Sequence, residues 1–255
     1  MAARSFRSAA LFASAALFAS GALSAPVALD GGGTAHASVR PALANPSGNA
    51  YFPLVVGSTW KYREVGGPAA GSTLSMHVVS AHKTPGGEAV EVQDTMGAGS
   101  FTARYVIGAN GAIEIQASTG SGAGKTTISG SSSYFIPSSS QVGSCHPCHF
   151  SADFTTTVSG VPTPMREHLA ETATSMGVQP VSVPAGTFHA EKLQMVLKIT
   201  SSAPVVSFTD TASYAVYLVK NVGTVETGAG TVSTSVMGHT TNVATGAEEL
   251  VAYTP

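Results

Sequence analysis

From Tyr51 onward the chain alternates short β-compatible runs with turn-forming residues. Tyr51-Phe52-Pro53-Leu54-Val55-Val56 leads through Gly57 into Thr59-Trp60-Lys61-Tyr62-Arg63. There Trp60 and Tyr62 fall on one side of a period-two pattern, and Lys61 and Arg63 on the other. That alternation predicts a strand with one buried face. Similar runs follow at Leu74–Ser80, Ala89–Asp94, Phe101–Ile107 and Ala112–Ala117. They are separated by Gly66-Gly67-Pro68, Pro85-Gly86-Gly87 and Asn110-Gly111, the last being a two-residue hairpin signal because both positions favour positive φ. Further strands are expected at Phe154–Val158, Pro180–Val183, Ala190–Thr200, Val205–Thr209, Ser213–Val219, Gly223–Thr227, Thr231–Met237 and Glu249–Tyr253.

Two stretches break this rhythm. Residues 118–144 are dominated by Gly, Ser and Thr around Tyr134-Phe135-Ile136, and are expected to form a long loop or ragged hairpin with the cysteine motif at its end. Residues 163–177 carry a helical signature, with Thr163 as cap, Pro164 at the first helical position, Met165, Leu169, Ala173 and Met176 on one face, and Gly177 as a stop. The same residues read with period two as an edge strand. The fold expected overall is mainly β, a curved antiparallel sheet or incomplete barrel with at most one short helix.

The ends and the composition narrow the class. Arg4 and Arg7 precede the apolar run from Ala9 to Ala19, which is shorter than the roughly 20 residues of a membrane-spanning helix. Residues 1–37 therefore read as a signal peptide, cleaved after Ala25 or Ala37, and residues 38–50 as a flexible linker. Residues 51–255 are expected to form a single β-domain, soluble in the periplasm or outside the cell, with no transmembrane anchor after cleavage. Charged residues make up 10% of the chain and the net charge is −2, so no basic patch exists to hold nucleic acid. Hydrophobic residues reach 43%, enough for a packed core.

Chemistry concentrates at one place. The two cysteines stand in Ser144-Cys145-His146-Pro147-Cys148-His149-Phe150. In an exported protein, Cys145 and Cys148 are read first as a disulfide pinning a short turn. The alternative is a dithiol redox pair, a metal pair, or a covalent haem c site with His149 as axial ligand. A phosphate-loop-like stretch, Thr119 to Thr127, lacks the first glycine of that pattern and a following helix. Neither Gly-x-Ser-x-Gly nor His-Glu-x-x-His occurs, and no enzymatic activity or cofactor is expected.

Several segments resemble a family of uncharacterised exported bacterial β-domains. These are Tyr51-Phe52-Pro53-Leu54 with Gly57, Trp60 and Tyr62; Val183-Pro184-Ala185-Gly186-Thr187-Phe188; Val222-Gly223-Thr224-Val225; and Glu249-Leu250. The resemblance implies a curved sheet similar to periplasmic lipoprotein carriers. It implies a strand before the Val-Pro-Ala-Gly turn and brings no catalytic residue. In that frame Trp60 and Tyr62 plug one end of the sheet, Pro184 to Gly186 form a tight turn, and Phe188 returns to the core. The expected role is a non-enzymatic secreted domain that binds a hydrophobic ligand or a surface partner.

Overall fold

The computed structural model describes residues 50–96, 99–108, 113–121, 126–127, 148–158, 161–203 and 206–255. Among them there is no helix. The strands are β1 (Thr59–Val65), β2 (Thr73–Thr84), β3 (Gly87–Met96), β4 (Gly99–Gly108), β5 (Ile113–Ser121), β6 (Thr126–Thr127) and β7 (Cys148–Val158). They continue with β8 (Val161–Val183), β9 (Gly186–Ala203), β10 (Val206–Val219), β11 (Gly223–Thr227), β12 (Thr231–Val236), β13 (His239–Ala244) and β14 (Ala247–Thr254). All pair antiparallel in one open sheet ordered β5-β4-β3-β2-β1-β14-β11-β10-β9-β8-β7-β6. The sheet does not close into a barrel.

It bends back on itself nevertheless. Val181, Val183 and Ala190, at the tip of the β8–β9 hairpin, share one core with Trp60, Tyr62, Leu74, Met76, Val90, Val92 and Leu250. The Ala185 N–H in that tip donates to the Leu250 carbonyl at 3.0 Å, which fastens the hairpin onto β14. A second core lies along β8, β9 and β10, where Leu193, Met195, Leu197, Ile199, Tyr214 and Val216 are buried. The segment before β1 joins the two: Tyr51 lies in the second core, Leu54 in the first, and Phe52 packs against both.

Residues 163–177, open between helix and strand and placed in a strand by the resemblance, are strand: they lie wholly inside β8, which is no edge strand but runs between β7 and β9, with a bulge where Gly177 takes φ 79°. Tertiary pairing overrides the helical signature there. Other expectations need revision. The stretch expected as a loop from residue 118 begins as strand, since β5 continues to Ser121 and Thr126–Thr127 form β6. Pairing with β4 is the cause; Thr119 lies opposite Thr102. The expected strands at 205–209 and 213–219 are one strand, β10.

Strand β13 went unforeseen. It follows a two-residue turn in which Met237 (φ 48°) and Gly238 (φ 82°) both take positive φ, as a type I′ hairpin requires. Strand β10 serves two neighbours, pairing with β11 through Val216–Val219 and with β12 through Phe208–Ser213. The sheet therefore forks, and β12–β13 leaves as a separate arm.

Candidate functional site

Trp60, Tyr62 and Glu64 are alternate residues of β1, and all three turn to the buried face. The Trp60 indole Nε1–H donates to the Val222 carbonyl at 2.6 Å, and its ring stacks on Tyr253 with centroids 5.3 Å apart. The Tyr62 hydroxyl donates to the Thr224 carbonyl at 3.0 Å, and that of Tyr253 to the Asn221 carbonyl at 3.1 Å. Three aromatic side chains from β1 and β14 thus satisfy the carbonyls of Asn221, Val222 and Thr224 around the β10–β11 turn. Gly223 takes φ 96°, the left-handed conformation that favours glycine in this turn; a Cβ there would meet Trp60 Nε1 only at ordinary contact distance, 3.5 Å.

Beside these aromatics is a cavity of about 10 Å³, lined by Phe52, Leu54, Trp60, Tyr62, Met76, Gly223 and Thr224. That is space for about one water. The concave face around it is otherwise filled by the protein's own side chains, with Phe52 and Leu54 supplied by the segment before β1.

Carboxylates are buried near this aromatic wall. Asp94 on β3 is fully buried, opposite Met76 of β2, and neither carboxylate oxygen has a hydrogen-bond partner. Burial holds its pKa well above the usual carboxylate range. Glu64 and Glu248 are buried opposite one another on β1 and β14. Burial, and then the charge of Glu64, push Glu248 up to about 8. The hydroxyls of Tyr62 and Tyr105 are raised mainly by burial; Glu248, Asp94 and Tyr253 add to this for Tyr62, and Asp94 for Tyr105.

The expected site residues divide. Trp60 and Tyr62 are buried. Pro184 lies in the turn between β8 and β9, Gly186 opens β9 at φ 140°, and Phe188 packs back on the first core. Cys145 lies outside the described residues, as does the Asn110-Gly111 hairpin signal. Cys148 and His149 open β7, opposite Glu171 and Ala170 of β8. Among the described residues, no three of His, Cys, Asp and Glu come together to hold a metal.

Asp94, Glu64 and Glu248 were not singled out from the sequence, although a signal was present. Glu64 continues the parity of Trp60 and Tyr62, Asp94 that of Val90 and Val92, and Glu248 that of Leu250. Extending period two through charged positions places each acid on the inner face.

No protein-family model matches the chain, and no curated protein matches it in sequence. Among solved structures it is similar to a protein of Bacteroides fragilis described as exported, with a YmcC-like fold. The identity is 11% and the TM-score 0.42, over 81% of this chain and 100% of that one. It is also similar to a protein of Parabacteroides distasonis described as a lipoprotein, at 14% identity and TM-score 0.39, over 81% of this chain and 99% of that one.

Proposed function

We propose that the chain is an exported, non-enzymatic β-domain that holds an apolar ligand against its concave face, in the groove that Phe52 and Leu54 fill here. One observation carries this reading: a short segment outside the strands fills the space between the two cores with its own apolar side chains. A few backbone bonds tie that segment down, among them Asn221 N–H to the Ala50 carbonyl and Gly57 N–H to the Val78 carbonyl. The polar atoms of the groove wall are already engaged, since Trp60 and Tyr62 donate to backbone carbonyls. What such a groove offers an incomer is apolar surface. Export rests on the N-terminal pattern of Arg4, Arg7 and the apolar run after them.

Trp60 is the sole tryptophan and lines the cavity, so its emission reports on the groove directly. Titration of the full chain with a pyrene-labelled acyl chain should change that emission saturably. Phe52→Ala, which empties part of the groove, should strengthen binding, and Phe52→Trp should weaken it. A wild-type chain whose Trp60 emission stays flat throughout the titration would overturn the reading. The absorption spectrum of the same sample tests the covalent haem alternative at Cys145, Cys148 and His149: a Soret band that survives denaturation would replace the apolar-ligand reading.

A further inference from the structure

Both carboxylate oxygens of Asp94 are buried and lack a hydrogen-bond partner among the described residues. A group left so is kept at a cost in stability, and in a native structure it calls for an explanation. Its position supplies one. Period two puts Asp94 on the face of β3 that carries Val90 and Val92, the face of the first core. Across β2 it is paired with Met76, which is paired in turn with Trp60 of β1. Met76 and Trp60 both line the cavity, so Asp94 stands in one cross-strand row with two of its walls.

The side chain that fills the groove meets the same neighbourhood. Phe52 lines the cavity and packs its ring on Tyr105 of β4, with centroids 5.7 Å apart. The charge of Asp94 acts on the hydroxyls of both Tyr62 and Tyr105, so the carboxyl is within reach of the cavity wall on one side and of the Phe52 contact on the other. The surroundings then decide which head group could use it. No Lys, Arg or His is buried among the described residues, so nothing basic on this face competes for the acid. The Tyr62 hydroxyl and the Trp60 indole are committed to the carbonyls of Thr224 and Val222. A carboxylate head would bring a like charge to Asp94, and a hydroxyl could donate to only one of its two oxygens. A primary ammonium brings three donors and the opposite charge, and its hydrogen bonds to a carboxylate are of the stronger, charge-assisted kind.

We propose that the ligand of the concave face is a lipophilic amine, its apolar chain taking the place of Phe52 and Leu54 and its ammonium group bound to Asp94. The inference rests on the apolar-groove reading and adds the head group to it. Burial holds the acid above the usual carboxylate range while Phe52 fills the groove. As the ammonium arrives, Asp94 gives its proton to solvent, and a carboxylate–ammonium pair replaces a neutral carboxyl. The acid that costs the empty domain stability is thereby the group that recognises the ligand.

Calorimetric titration of the full chain at neutral pH with decylamine, decanol and decanoate, which share one chain and differ in the head, tests it. Decylamine should bind at least about tenfold more tightly than decanol, and decanoate no better than decanol. Repeating the amine titration in two buffers of different ionisation enthalpy should show the release of about one proton. Asp94→Asn should bring the amine down to the level of the alcohol. If none of the three ligands binds, the apolar-groove reading falls and this inference with it. If decanol binds as tightly as decylamine, or the preference for the amine survives in Asp94→Asn, the inference falls and the apolar-groove reading stands. Should Asp94→Asn fail to fold, Asp94→Leu takes its place, and the ranking of the three heads by the wild-type chain decides without any variant.

Discussion

Replacing Asp94 with leucine should make the protein more stable. Asp94 is fully buried on β3, and neither of its carboxylate oxygens has a partner. A buried polar group left unsatisfied costs about 1–3 kcal/mol, whereas an apolar side chain of similar size at such a position is neutral or favourable. Asp94→Leu is therefore expected to gain about 2 kcal/mol at neutral pH, or about 4–8 °C in Tm for a domain of this size. The pH dependence gives an independent sign. Because burial raises the folded pKa, the native state keeps its proton after the unfolded chain has lost it, so Asp94 erodes stability as pH rises from the ordinary carboxylate range. Asp94→Asn keeps the shape but cannot ionise, and should flatten that part of the slope. Denaturant unfolding followed by Trp60 emission over a pH series measures both effects. An Asp94→Leu chain less stable than wild type, together with an unchanged slope in Asp94→Asn, would refute the reasoning.

Two further substitutions probe the scaffold. Trp60→Phe removes the donor to the buried Val222 carbonyl and part of the stack on Tyr253. It should cost about 2–3 kcal/mol, measured as a lower denaturation midpoint by circular dichroism. Gly246→Ala drives a methyl into the Gly66 and Val65 carbonyls, which as backbone cannot swing aside. A loss of about 3 kcal/mol is expected in thermal unfolding, and unchanged stability would mean the β1–β2 turn yields more readily than its packing implies.

Much of the scaffold was legible because one-sided burial writes itself into alternation. Trp60 and Tyr62 and the run from Ala89 to Asp94 sit in strands where period two places them. Legibility failed where pairing rather than pattern decides. Met165, Leu169, Ala173 and Met176 fit a helix face as well as a strand, and only the flanking strands β7 and β9 resolve them. His239 to Ala244 has almost no buried position to betray β13. The candidate site suffered from a different blindness. A charged residue does not stand out as a core candidate, so Asp94, Glu64 and Glu248 are passed over although their parity points inward. The fork at β10 has no local signature, because sharing one strand between two partners is a property of the whole topology.

The adjacency of β1 and β14 also imposes an order of events in time. Thr59 pairs with Thr254 and Val65 with Ala247, so one side of β1 finds its neighbour only in the chain's final strand. During synthesis, β1 to β5 can assemble while that side of β1 stays open, an invitation to pair with the wrong chain. So distant a contact makes the last step of assembly slow compared with the local hairpins before it. Nascent molecules should therefore be most vulnerable to aggregation and proteolysis just before the C-terminal strand is in place, and a chaperone that shields β1 would help folding most.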